Sequence, residues 1–173
     1  MAEFELPIVF MGPMGSGKTR LGKRVAKLLG VPFIDTDKRI VAEHGPITAI
    51  FENDGEARFR QLEREAVAEA LAERAVVSLG GGAVLDPATQ DALAAHRVVY
   101  LTVDSRAVLA RMDTSKRPLL KDGPEAWEKI FAERKGIYER LASVTFDTSA
   151  RPITHIAQDI AAWARGRNPE ATP

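Results

Sequence analysis

Apolar and polar positions along this chain follow two periods, one near 2 and one near 3.6, and the switches between them mark its predicted elements. Residues 6–11 (LPIVFM) form a short apolar run ending at Gly12, which is the pattern of a buried strand. Over 18–29 the spacing becomes helical, with Leu21, Val25 and Leu28 on one stripe and Gly30 and Pro32 marking the exit. The pattern then predicts a strand at 31–35, a short helical piece at 46–54 ending at Gly55, and a long helix over about 56–74. A third strand at 75–79 runs into Gly80, Gly81 and Gly82. Helix signals around 88–95 lead to a fourth strand at 98–103, and a further helix follows Asp104. Residues 113–124 (DTSKRPLLKDGP) show no period and combine two prolines, a glycine and several charges, the composition of a mobile loop. A helix at 125–142, a short strand at 144–146 and a last helix with Ile153, Ile156, Ile160 and Trp163 on one face complete the order. Residues 166–173 read as a disordered tail.

Strands alternating with helices predict a parallel sheet covered on both faces, hence a three-layer α/β/α domain spanning 1–165. Composition narrows the partners. Lys+Arg and Asp+Glu both total 24, so the net charge is zero and the chain lacks the basic footprint of a nucleic-acid or membrane-surface binder. Any anion site must be local. With no cysteine among 173 residues, disulfides, thiolate metal sites and thiol catalysis are excluded. The N-terminal apolar run is short and lacks a basic flank, and no segment approaches the roughly 20 apolar residues of a membrane span, which reads as a cytoplasmic protein.

Gly12 to Thr19 reads GPMGSGKT and satisfies G-x-x-x-x-G-K-[ST], with an apolar strand before it and an amphipathic helix after it. The residue types suit phosphate. Gly12, Gly15 and Gly17 let backbone N–H groups converge on phosphate oxygens at a helix N-terminus. Lys18 brings a point charge to the β and γ phosphates, and the Thr19 hydroxyl is a ligand for Mg²⁺. Neither D-x-x-G nor N-K-x-D occurs, so the chain lacks the elements of a regulatory GTPase. The Asp-Gly-aromatic-Pro-Arg element of adenylate-type kinases has no counterpart either, because Asp122-Gly123-Pro124 lies in the predicted mobile loop.

A nucleotide loop alone fits a kinase or a non-catalytic ATP-dependent regulator, so the acceptor side decides. Asp35 and Asp37, at i and i+2 of a segment read as extended, point the same way into the cleft at the carboxyl ends of the strands, unless one of them caps the next helix. Arg60 and Glu63 share a helical face with Val67 and Ala70, which suits either a guanidinium held for an anion or a solvated pair. Arg134 falls in register with Trp127, Ile130, Phe131, Ile137, Tyr138 and Leu141, so it either snorkels to the surface or meets an anion. Gly80 to Gly82 allow close backbone approach to a ligand. Arg117, in the mobile loop, is either a solvated charge or one that closes over the nucleotide. Together these residues describe an anionic acceptor with hydroxyls. Asp104 reads as the cap of the helix after it, and His44, His96 and His155 form no metal spacing.

GPMGSGKT, Asp35-Thr36-Asp37, F-R-x-x-E at Phe59 to Glu63, Gly80 to Gly82, RPLL at Arg117 to Leu120 and R-x-x-x-Y at Arg134 to Tyr138 occur in that order. The chain thereby resembles the shikimate kinase family over roughly residues 8–164. The resemblance implies a P-loop kinase fold with five parallel strands and a mobile lid at about 112–124, usually as a monomer. It implies ATP-dependent phosphorylation of the shikimate 3-hydroxyl, on the route to chorismate and the aromatic amino acids, with Mg²⁺ as cofactor. It assigns Gly15, Ser16, Gly17, Lys18, Thr19 and Arg20 to the phosphates, Arg117 to the lid over ATP and Arg151 to the adenine side. Asp37 would take the acceptor hydroxyl, Arg60, Arg134 and the Gly81 amide would hold the carboxylate and ring, and Thr19 with Asp35 (through water) would serve the metal. The sequence departs from the family pattern at Gly136, where proline is usual, and at Arg20, where threonine or serine is more common. Glycine there would loosen the helix that aims Arg134. A gluconate-type or other carbohydrate kinase on the same scaffold remains the main alternative to this reading.

Overall fold

Strand β1 (Ile8–Met11) shows how the sheet is built: Ile8 and Phe10 pack to one side of it, Val9 and Met11 to the other, and all four are buried. A strand buried on both faces needs helices on both faces, which is the parallel solution. The computed structural model describes residues 4–111 and 124–166. Its other strands are β2 (Phe33–Asp35), β3 (Val76–Ser78), β4 (Arg97–Thr102) and β5 (Val144–Asp147), in the spatial order β2-β3-β1-β4-β5 with every pairing parallel.

The helices are α1 (Lys18–Leu29), α2 (Thr36–His44), α3 (Ile47–Asp54), α4 (Glu56–Leu71), α5 (Pro87–Leu93), α6 (Ser105–Arg111), α7 (Pro124–Leu141) and α8 (Ile153–Ala164), with a single 3-10 turn at Ala83–Leu85. One layer joins Leu21 and Val25 of α1 to Ile156 and Ile160 of α8 against Ile8, Phe10, Val99 and Leu101. The opposite layer sets Val67 and Ala70 of α4, Leu93 of α5 and Tyr138 of α7 against Val9, Met11, Val77, Val98 and Tyr100. The fold is the expected three-layer one. A satellite cluster of Ile40, Ile50, Phe59, Leu62 and Ala66 ties α2 and α3 to the start of α4.

Two expectations are corrected. The α1 stripe closes with Leu29, and Leu28 is exposed, because an i, i+4 step from Val25 keeps the sheet-facing line that an i, i+3 step leaves. The segment Asp35-Thr36-Asp37 is not extended throughout: β2 stops at Asp35, which caps α2 by accepting a hydrogen bond from the Lys38 N–H at 3.2 Å. Asp37 therefore sits in the first helical turn. The expected caps and stripes elsewhere are present, with Asp104 Oδ1 accepting from the Ala107 N–H at 2.8 Å and the face of α8 as read. Helix α7 runs unbroken through Gly136.

The lid at 112–124 lies outside the described residues except for Pro124, which opens α7. Of the tail, only Gly166 is described, as a turn residue at φ 75° bonded to the Trp163 carbonyl. No described helix is long and apolar enough to cross a membrane.

Candidate active site

The chain leaves β1 for β2 and β3 on one side and crosses to β4 and β5 on the other, so a crevice opens beside β1 at the strands' carboxyl ends. That crevice is a cleft of about 860 Å³. Its wall on one side is the loop from Pro13 to Arg20, and on the other are Asp37, Arg60, Glu63, Gly80 to Gly82 and Arg134.

The phosphate loop bends where glycine permits it. Gly12, Gly15 and Gly17 have φ of 155°, 84° and 95°, and Gly17 hands over directly to α1. The loop is braced from behind. Trp127 Nε1 of α7 donates to the Met14 carbonyl at 2.9 Å, and buried Thr148 donates its hydroxyl to the Ser16 carbonyl at 2.7 Å. Arg111, at the end of α6, donates to the Thr148 carbonyl and reaches the Gly15 carbonyl at 3.4 Å. Lys18 Nζ folds back onto the Gly12 carbonyl at 2.6 Å and the Pro13 carbonyl at 3.2 Å. Ser16 Oγ is buried without a hydrogen-bond partner among the described residues. Arg20 is exposed at the cleft edge. The Thr19 hydroxyl donates to Asp35 Oδ2 at 3.4 Å, so a neutral and an anionic oxygen meet beside the loop. Both are hard donors of the kind Mg²⁺ takes, and no described group of three or more His, Asp or Glu side chains forms a fuller cage.

On the acceptor side the three successive glycines each make room for a different side chain. A Cβ on Gly80 would lie 2.6 Å from Asp37 Oδ1, one on Gly82 2.7 Å from Arg60 Nη1, and one on Gly81 3.3 Å from Arg134 Nη1. The run is thus the floor on which Asp37 of α2, Arg60 of α4 and Arg134 of α7 converge. Arg60 is held by Glu63, one turn on, at 2.8 Å, and Glu63 is itself buried. Burial raises the Glu63 carboxyl above its ordinary value despite the guanidinium beside it. The choice between an oriented guanidinium and a solvated pair falls to the first. Arg134 likewise lines the cleft, half-buried, rather than reaching away from it.

Asp37, like Glu63, is an acid of the cleft whose pKa is raised. Burial pushes its pKa up, the Asp35 charge adds to the rise, and Lys18 and Arg60 oppose it. Its Oδ1 has no hydrogen-bond partner among the described residues. A buried, unpartnered carboxylate oxygen is costly, and such a group facing a cleft is the mark of a working one.

Two residues assigned from the resemblance stand apart from this group. Arg151 pairs with Asp159 of α8 and does not line the cleft. Arg117 lies outside the described residues. Conversely, Arg111, Trp127 and Thr148 brace or line the site without having been singled out as such. In the sequence Trp127 reads only as part of an apolar stripe, and no short motif marks Arg111 or Thr148.

Comparison with known proteins agrees with this geometry. The shikimate kinase family model matches residues 14–165. A shikimate kinase of Mycobacterium avium is 46% identical over 149 residues, covering 83% of this chain and 84% of that protein. The solved shikimate kinase of Acinetobacter baumannii in complex with shikimate superposes with a TM-score of 0.84 at 33% identity, covering 91% of this chain and 92% of that one. A gluconokinase from Sinorhizobium meliloti reaches a TM-score of 0.58 at 23% identity, a likeness of fold alone. With the family model matching most of its length and relatives above 40% identity, the chain belongs to the shikimate kinase family.

Proposed function

We propose that this chain transfers the terminal phosphoryl group of ATP to the 3-hydroxyl of shikimate, giving shikimate 3-phosphate and ADP in the synthesis of chorismate and aromatic amino acids. The observation that carries the reading is Asp37. It stands between the phosphate-loop lysine on one side and an arginine held by a buried glutamate on the other. A carboxylate whose pKa is raised by burial accepts a proton more readily than an ordinary aspartate. It would orient the acceptor hydroxyl and take its proton as the oxygen attacks phosphorus. The guanidiniums of Arg60 and Arg134, on the glycine floor beyond Asp37, would hold the acceptor carboxylate by forked hydrogen bonds. The N–H of Gly81 would join them from the same floor.

On the nucleotide side, the N–H groups of Gly15 to Thr19 and the Lys18 charge would hold the phosphates, with Arg20 at the edge. Thr19 and Asp35, the latter through water, would hold Mg²⁺, which when bound neutralises charge on the phosphate oxygens. By resemblance, Arg117 and Arg151 belong to the nucleotide side as well. A monomer acting in the cytoplasm, without nucleic-acid or membrane partners, completes the reading, and size-exclusion chromatography with cell fractionation checks that part.

The test is ADP release on a panel of shikimate, quinate, gluconate and nucleoside monophosphates. Turnover with shikimate well above the rest is expected. Turnover confined to gluconate or a nucleotide would replace the proposed acceptor, and no turnover with any of them would turn the chain into a non-catalytic ATP binder.

A further inference from the structure

Tyr138 is fully buried on α7, stacked on Tyr100 of β4 with ring centroids 5.1 Å apart. A buried hydroxyl must find a partner. This one donates at 2.9 Å to the carbonyl of Gly81, the middle residue of the glycine floor. Tyr138 also lies one helical turn after Arg134, on the same face. The Arg134 guanidinium stands close enough to the phenol to counter part of the burial effect, which pushes its pKa up to about 12. One hydroxyl therefore anchors the floor and feels the charge of one of the guanidiniums that rest on it.

Three consecutive glycines have no side chains to fix their torsions, so the run has no intrinsic preference for one ligand-ready shape. Within the run, the Ala83 N–H bonds to the Gly80 carbonyl and the Leu85 N–H to that of Gly82. Among the described residues, no acceptor takes the N–H of Gly81 or Gly82. In a trans peptide the carbonyl of Gly81 and the N–H of Gly82 point in opposite directions. Anchoring that carbonyl on Tyr138 turns the Gly82 N–H away from α7 and stops the peptide from flipping. We propose that Tyr138 is a positioning residue for the acceptor: its hydroxyl locks the glycine floor and Arg134 into one frame that receives the acceptor carboxylate. The inference rests on the assignment of shikimate as acceptor.

The variant is Tyr138→Phe, which keeps the ring and its stack and removes only the hydroxyl. Wild-type and variant enzymes are compared in steady state with shikimate and ATP, and by thermal unfolding. The KM for shikimate should rise about three- to tenfold, the worth of one neutral hydrogen bond, with kcat and the KM for ATP within about twofold. In a double-mutant cycle with Arg134→Lys, the two losses should be less than additive, because the second substitution acts on a frame already loosened. Unchanged shikimate KM in an active variant would reduce the hydroxyl to a satisfied core group. Equal rises in both KM values, full additivity in the cycle, or loss of the cooperative unfolding transition would also overturn the proposal. Failure of the acceptor assignment is distinguishable, since wild type would then fail to turn over shikimate, and the inference would fall with it.

Discussion

The two halves of the cleft are built by different means. The half proposed for the nucleotide is one continuous stretch, Gly12 to Arg20, rich in glycine backbone and carrying Lys18 and Arg20 as its charged side chains. The acceptor half is assembled from α2, α4 and α7, whose side chains meet over a glycine floor that comes after β3. Backbone recognition of phosphate depends on local shape, so the whole device fits within nine residues. Side-chain recognition of a carboxylate and a hydroxyl needs charges aimed from several directions, so it is spread over about a hundred residues and depends on how the helices pack. Helix α7 serves both halves, through Trp127 on the Met14 carbonyl and Tyr138 on that of Gly81.

This contrast predicts that single substitutions separate cleanly by half. The largest effect is expected at Lys18, the one residue of the loop whose side chain carries charge to the transferring group. Lys18→Met should lower kcat by about 10³–10⁵-fold, the range for a cation placed at the transferring phosphoryl, with the unfolding transition retained. Stopped-assay turnover that kept more than about a tenth of wild type would make the lysine's part in transfer minor.

Next in size is Asp37→Asn, which should slow transfer by about 10²–10⁴-fold, the usual worth of a general base. The same substitution should stabilise the fold. The folded pKa of Asp37 lies above the ordinary aspartate value, so the folded state binds a proton more tightly than the unfolded one. The contribution of this group to stability is full below the unfolded value and is lost as pH rises through the folded one. The amide of the variant does not ionise and so does not lose that contribution. Thermal melts should place Asp37→Asn above wild type at about pH 7, with the gap closing as pH falls through the Asp37 pKa towards about 4. The kcat/KM of wild type should fall over the same interval. A variant less stable than wild type at neutral pH would mean that Asp37 holds the fold together, against its unpartnered oxygen.

Smaller again is Arg134→Lys, which keeps charge but loses the fork. Its shikimate KM should rise by about 5- to 150-fold, the equivalent of about 1–3 kcal/mol for hydrogen bonds between charged groups. The KM for ATP should stay level. Comparable weakening of both ligands would erase the division between the halves.

The same division explains what could be read from the chain before its fold. The loop, its flanking strand and helix, and the five strands along the chain were legible because each is a local pattern. Arg60 and Arg134 could be singled out as charges on apolar stripes, but only packing decides whether such a charge meets solvent or a ligand. Glu63 resolves Arg60 by being buried beneath it. Asp35 and Asp37 do share the cleft, but an i, i+2 pair looks extended until the Asp35 side chain is seen to cap α2. Arg111 and Thr148 act through backbone carbonyls of a loop more than thirty residues removed from either in sequence, a relation that no periodicity encodes. The pairing of each glycine in the floor with its own side chain was equally invisible.

The smallest effect tests whether the helix that bridges both halves needs its one departure in the family pattern. Gly136 lies two residues past Arg134, exposed, in the interior of α7. Glycine in a helix interior costs about 1 kcal/mol relative to alanine, mostly through backbone freedom in the unfolded chain. A Cβ at this position would meet nothing within 4 Å, and Gly136 is not among the glycines with positive φ, so neither packing nor backbone shape requires it. Gly136→Ala should therefore raise stability by about 0.5–1 kcal/mol, read as a shift of the chemical-denaturation midpoint at constant slope. If glycine also loosens the aim of Arg134, the shikimate KM should fall modestly in the same variant while the KM for ATP holds. A stabilised protein with both constants unchanged would show that Glu63, Tyr138 and the glycine floor already fix the acceptor frame, and that the helix tolerates glycine there at a cost to stability alone. A destabilised protein would contradict the open surroundings of the site.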